Sequence, residues 1–132
     1  MNIVVGYIDT PECSAALSRA VEEAHLRRAR LVVVHSMKGG GQEPVELVVT
    51  YDEEMERIDE RLTADGIDHQ VRQLVRGNTP SDDLLLVAEE VGAELIVIGL
   101  RRRSQVGKLI LGSNAQHVLL RADCAVLAVK PG

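Results

Sequence analysis

The segment "GLRRRSQVGKLILGSNAQ", Gly99–Gln116, gathers the residue types that hold phosphate. Guanidinium groups at Arg101, Arg102 and Arg103 can fork onto pairs of phosphate oxygens. Gly99 lets a ligand approach the backbone because no Cβ intervenes. Gly112-Ser113-Asn114 stands where a helix would begin. A helix N-terminus offers unbonded N–H groups and the positive end of a dipole. Each feature also has an ordinary structural reading. Ser and Asn are preferred N-caps, Gly99 suits a turn, and an arginine run suits a solvated loop or ion pairs with acidic helices. Gly107-Lys108 invites comparison with the P-loop, which requires Gly at 102 and Ser or Thr at 109. Arg102 and Leu109 occupy those positions, so this is not a Walker A site.

A second cluster follows the first apolar run. Asp9 and Thr10 could hold a ribose hydroxyl or an adenine edge, and they serve equally well as the start of a helix. Ser36, at the end of the second apolar run, could offer its backbone to an adenine ring. His25, His35, His69 and His117 are scattered, without the spacing of a metal site. No nucleophile–base set, G-x-S-x-G elbow or acid pair is visible, so catalysis is not expected.

The elements that must position these residues are legible from apolar patterning. "NIVVGYI" (residues 2–8), "RLVVVHS" (30–36) and "AELIVIG" (93–99) are short β-branched runs of buried-strand type. "HQVRQLVRG" (69–77) mixes polar and apolar residues, as a half-buried edge strand does, and "CAVLAVK" (124–130) is a last strand. Between them lie helices. The first is capped by Thr10-Pro11 and runs to about Ala29. The second runs from about Val48 to a left-handed Gly66, after a glycine-rich loop over Met37–Pro44. The third is capped by Thr79-Pro80 and turns Leu84, Val87, Ala88 and Val91 inward. The fourth spans 112–122 with Ala115, Val118 and Leu119 inward. Regular β-α alternation predicts a doubly wound parallel sheet with helices on both faces. In such a sheet ligands sit beyond the carboxyl ends of the strands, at the switch point.

The chain has 132 residues, enough for one domain (1–132) with one core. It has two Tyr and no Phe or Trp, so Val, Leu, Ile and Ala must build that core. A net charge of −5 with so few aromatics argues against nucleic-acid binding. No apolar run is long enough to span a membrane and no leader pattern opens the chain. Two isolated cysteines, Cys13 and Cys124, form no disulfide framework and read as reduced cytoplasmic thiols, Cys124 buried in a strand.

The ordered set "IVVGYIDTPECSAAL", "LVVVHS", "LVRGNTPSDDLLLVAEEVGAELIVIG" and "LILGSNAQHVLLRADCAVLAVK" resembles the universal stress protein (UspA) family over the whole chain. The resemblance implies a Rossmann-like five-stranded sheet of order 3-2-1-4-5. It also implies a homodimer formed through the last strand, Cys124–Lys130, for which a proline at Leu127 is the expected disruption. The nucleotide-binding branch of the family carries G-x2-G-x9-G-[S/T] after its fourth strand. Gly99 and Gly112-Ser113 match it, and Arg102 stands in place of the middle glycine. The acid expected at the end of the first strand falls on Ile8, with Asp9 one position late. By resemblance, an adenine nucleotide (ATP, with magnesium in its company, or AMP) would lie between the first and fourth strands. Gly99, Arg102, Arg103, Gly112, Ser113 and Asn114 would face its phosphates, and Asp9, Thr10 and Ser36 its nucleoside. The alternative is a homodimeric interaction module without nucleotide, which Ile8 and Arg102 favour.

Overall fold

The computed structural model describes residues 1–7, 11–37, 45–75, 77–102 and 109–131. Its strands are β1 (Asn2–Gly6), β2 (Arg30–Met37), β3 (His69–Val75), β4 (Leu95–Gly99), β5 (Arg101–Arg102), β6 (Leu109–Ile110) and β7 (Ala125–Val129). Its helices are α1 (Pro11–Arg27), α2 (Val45–Ala64), α3 (Pro80–Val91) and α4 (Ser113–Arg121). Five strands form one parallel sheet in the order β3-β2-β1-β4-β7, which is 3-2-1-4-5 once the short β5–β6 pair is set aside. The doubly wound parallel sheet expected from the alternation is therefore present, in the Rossmann-like order that the resemblance implies.

Alternating side chains divide the sheet between two cores. Ile3, Val5, Leu31, Val33, Leu95 and Val97 face α1 and α2. Val4, Val32, Val34, Ile96 and Ile98 face α3 and α4. β1 is central, and its Ile3, Val4 and Val5 are buried because it is covered on both sides, whereas β3 is half-buried because it is an edge.

Local chemistry sets the boundaries. The α3 start follows the cap expected from sequence: Thr79 Oγ1 accepts from the Asp82 N–H at 3.2 Å and Pro80 occupies the first turn. Gly92 closes the helix at φ 62°, and Gly66 adopts φ 72° after α2. α1 stops at Arg27 rather than Ala29 because Arg28 enters the left-handed region at φ 53°. α2 begins at Val45, three residues before Val48. The first turn is exposed on the apolar side too (Val45, Leu47, Val49), so no amphipathic stripe marks it. Leu119 does not point inward. Val118 is buried with Ala115 and Ala122 packed beside it, and one further residue of helix rotates Leu119 about 100° away, where it is 41% exposed. Cys124 is half-buried and precedes β7 rather than lying within it; burial pushes its thiol pKa up. Among the described residues no helix is long and apolar enough to cross a membrane.

Candidate functional site

β1 pairs with β2 on one side and β4 on the other, so the connections leaving the carboxyl ends of β1 and β4 diverge to opposite faces. This is the topological switch point, and a crevice of about 210 Å³ opens there. Its floor includes Gly6, Val34 and Ile98, and its walls come from the first turns of three helices. α1 contributes Glu12 and Cys13, α3 contributes Pro80 and Ser81, and α4 contributes Gly112 through Ala115. Parallel winding forces this convergence: every helix that returns the chain to the sheet's amino end must start at its carboxyl end. Three positive dipole ends therefore point at one space.

α4 is the most open of these. Gly112 occupies its cap with φ −64° and ψ 164°, and no side chain caps the helix. Ser113 is thus the first helical residue, not the cap that its type suggests. The Gln116 N–H is satisfied by the Gly112 carbonyl at 2.9 Å. Among the described residues no side chain makes a cap hydrogen bond to this helix start, while Ser113 and Asn114 stand exposed on the crevice wall.

Gly99 is required by close packing. A Cβ there would lie 2.2 Å from the Glu12 carbonyl oxygen and 2.6 Å from its carbon. The end of β4 thus serves as a seat for the first turn of α1. Across that seat, Arg101 Nε faces Glu12 Oε1 at 3.9 Å.

Ser36 lies at the base of the crevice and donates from Oγ to Asp83 Oδ2 at 2.5 Å. Asn78 Nδ2 donates to the other oxygen, Oδ1, at 3.0 Å. Asp83 itself is fully buried, so its carboxylate ties the ends of β2 and β3 to α3. Composition gave no reason to separate Asp83 from Asp82. Spacing did: Asp83 sits four residues before Val87 on the inward stripe, while Asp82 faces out and meets His117 Nε2 at 3.0 Å.

His35 lies on the opposite face of the sheet. Nδ1 is 2.8 Å from the Tyr7 carbonyl oxygen and therefore donates to it, which places the lone pair on Nε2. Nε2 is buried without a partner among the described residues. The ring stacks on Tyr51 with centroids 4.0 Å apart. Desolvation holds its pKa below the ordinary imidazole value, so the neutral form fits this environment. Beside it, Tyr7 Oη donates to Glu54 at 2.9 Å. The hydrogen bonds from Arg57 and Tyr7 lower the Glu54 pKa.

Of the residues singled out from sequence, Ser36, Gly99, Arg101, Gly112, Ser113 and Asn114 line this one crevice. The Arg102 backbone pairs antiparallel with Leu109, so the segment expected as a loop contains a two-residue ladder. Ile8, Asp9, Thr10 and Arg103 lie outside the described residues. Glu12 and Asp83 were not anticipated as site residues. Among the described residues, no group of three or more His, Cys, Asp or Glu is placed to hold a metal ion.

The universal stress protein family model matches residues 1–130. The chain belongs to the universal stress protein family. A universal stress protein of Mycolicibacterium smegmatis is 39% identical, the alignment covering 98% of this chain and 97% of the relative. Among solved structures, a universal stress protein from Archaeoglobus fulgidus superposes with a TM-score of 0.86 at 39% identity, with 98% of each chain covered. An A. fulgidus universal stress protein in complex with dAMP superposes with a TM-score of 0.81 at 34% identity, again over 98% of each chain.

Proposed function

We propose that this universal stress protein is a one-domain cytoplasmic module (residues 1–132) that binds an adenine nucleotide, AMP or ATP, in the crevice between β1 and β4. The observation that carries the reading is the start of α4: a glycine cap, with no side-chain cap bond among the described residues, on the wall of a crevice that already collects two other helix starts. The dAMP complex of a relative at 34% identity supports the same ligand class. In this reading Gly112, Ser113 and Asn114 hold phosphate. Gly99 seats the first turn of α1 against the end of β4 at the phosphate end, with Arg102 and Arg103 flanking it. Ser36, with Asp9 and Thr10, faces the nucleoside. Magnesium would enter with ATP's own phosphates, since Glu12 is the one carboxylate among the described residues lining the crevice. No residue in the arrangement acts as a catalyst.

Ser113→Asp tests the phosphate end with two readouts of opposite sign. A carboxylate in the first turn favours α4 through the dipole by about 0.3–1 kcal/mol. It also places negative charge where the phosphate would sit. The melting temperature should hold or rise while affinity for AMP in calorimetry falls at least about tenfold. Unchanged AMP affinity would remove α4 from the site. Wild-type protein that neither co-purifies with nucleotide nor binds millimolar ATP would favour the interaction-module alternative, for which Arg102 in a paired strand speaks.

Homodimerisation belongs to the same proposal, through the free edge of β7. The Val129 carbonyl accepts from Leu100 N–H at 2.9 Å, so Val129 turns its backbone toward β4. Alternation then points Leu127 the same way and leaves Val126 and Ala128 to the open edge. A proline at Leu127 would therefore cut the β4–β7 ladder instead of the outer edge. Ala128→Pro is the informative variant, and it should yield monomers by light scattering with the fold retained. A mass unchanged from wild type would exclude β7 pairing.

A further inference from the structure

Glu12 and Arg101 stand on one wall of the crevice, from α1 and from the segment following β4. Among the described residues lining it they are the one carboxylate and the one cation, 3.9 Å apart. Their charges cancel, so the described lining offers a phosphate no net formal charge. What the described lining itself offers an anion is the partial positive charge of the helix starts. Glu12 is mostly covered, with a side-chain exposure of 19%, and its carbonyl abuts Gly99. It is therefore held beside the ligand space by the packing of α1 onto β4, whereas Arg101, 70% exposed, has freedom to turn.

We propose that Glu12 is a specificity-determining residue that holds the crevice to ligands of low phosphate charge, both by repelling added phosphates and by occupying Arg101. This rests on the reading of the crevice as a nucleotide site and adds which nucleotides it prefers. A monophosphate brings about two negative charges and a triphosphate about four. A fixed carboxylate nearby costs the second more than the first, most of all at low salt. Monophosphates are thus taken in preference to triphosphates.

The test is a charge series on Glu12→Gln, Arg101→Gln and the double variant, titrated without magnesium at low ionic strength with AMP, ATP, inorganic phosphate and tripolyphosphate. Glu12→Gln keeps the side-chain shape, and its melting curve should match wild type. It should tighten ATP binding about tenfold and AMP binding about threefold. Arg101→Gln leaves Glu12 uncompensated and should weaken ATP more than AMP, and the double variant, again without net charge, should return close to wild type. Equal gains for AMP and ATP, or weaker binding by Glu12→Gln, would overturn the proposal; the latter would make Glu12 a hydroxyl acceptor for the ligand. If wild type binds neither nucleotide, the nucleotide reading falls. Tripolyphosphate then decides alone: a gain in Glu12→Gln that exceeds the gain for phosphate supports charge selection, and its absence overturns it.

Discussion

Gly99→Ala should destabilise the protein by about 3 kcal/mol or more, whereas Gly112→Ala should cost only a few tenths. The two glycines match the same family sequence pattern, yet they are glycine for different reasons. At Gly99 a methyl group would lie 2.2 Å from the carbonyl oxygen of Glu12, a backbone atom that no rotamer change can move. The first turn of α1 must lift or β4 must sink, and both elements carry buried core residues. At Gly112 a Cβ meets nothing within 4 Å, and its φ of −64° suits any residue. Paired urea melts would read the difference directly. In heat, Gly99→Ala should lower the midpoint by about 10 °C, given about 3–5 °C per kcal/mol for a chain of this length. Lifting the first turn withdraws one of the three helix starts from the crevice and reshapes its wall, so AMP affinity should fall with stability. A Gly99→Ala variant within 0.5 kcal/mol of wild type would mean the seat adjusts freely, and the packing account of Gly99 would be wrong.

Asp83→Ala is expected to cost about 2–3 kcal/mol, out of proportion to a residue that touches no ligand space. The carboxylate is fully buried and accepts from Ser36 and Asn78. Truncation strands both donors in a partly buried setting and leaves a small void. The effect on Ser36 is the functional one. Without its acceptor the hydroxyl reorients, and the base of the crevice loses its fixed outline. Ser36→Ala alone should cost about 1 kcal/mol. The double variant should fall short of the sum by about 0.5 kcal/mol or more, because the two changes remove one shared hydrogen bond. Additivity in equilibrium unfolding would show that Asp83 acts through Asn78 or the helix alone.

How much of this was written in the sequence depends on range. The strands, the α3 cap and the left-handed Gly66 follow from residues within a few positions of one another, and they stand where patterning put them. The crevice position also followed, because β-α alternation determines where a parallel sheet changes direction. Ser113 illustrates a partial reading. Its type announced a helix start, but the cap fell to Gly112, since the cap is decided by backbone dihedrals that a serine does not dictate. Leu119 was misassigned by one helical step, at the margin of a narrow apolar stripe flanked by Leu120, which is 77% exposed. Glu12 was invisible as a site residue because its meaning depends on Gly99 and Arg101, distant in the chain and brought near only by the pairing of β1 with β4. An acidic residue near a helix start has a sufficient local explanation, which hides a tertiary one.

Near its end the strand β2 (Arg30–Met37) carries His35 and Ser36, neighbours in the chain that look out on different surroundings. Val33 and His35 belong to the sealed side beneath α1 and α2, Val34 and Ser36 to the side where the crevice opens. The alternation behaves like a reading frame. Losing one residue from the tight turn at Arg28-Ala29 would leave the apolar run able to pair with β1, since both of its faces are buried and valine fills either. The frame would then be wrong only at its last word, with an imidazole delivered to the ligand space and a hydroxyl to the core. The repetitive body of β2 tolerates a slip that the His35-Ser36 pair cannot, so these two residues, rather than the valines, record the register in which the sheet must close.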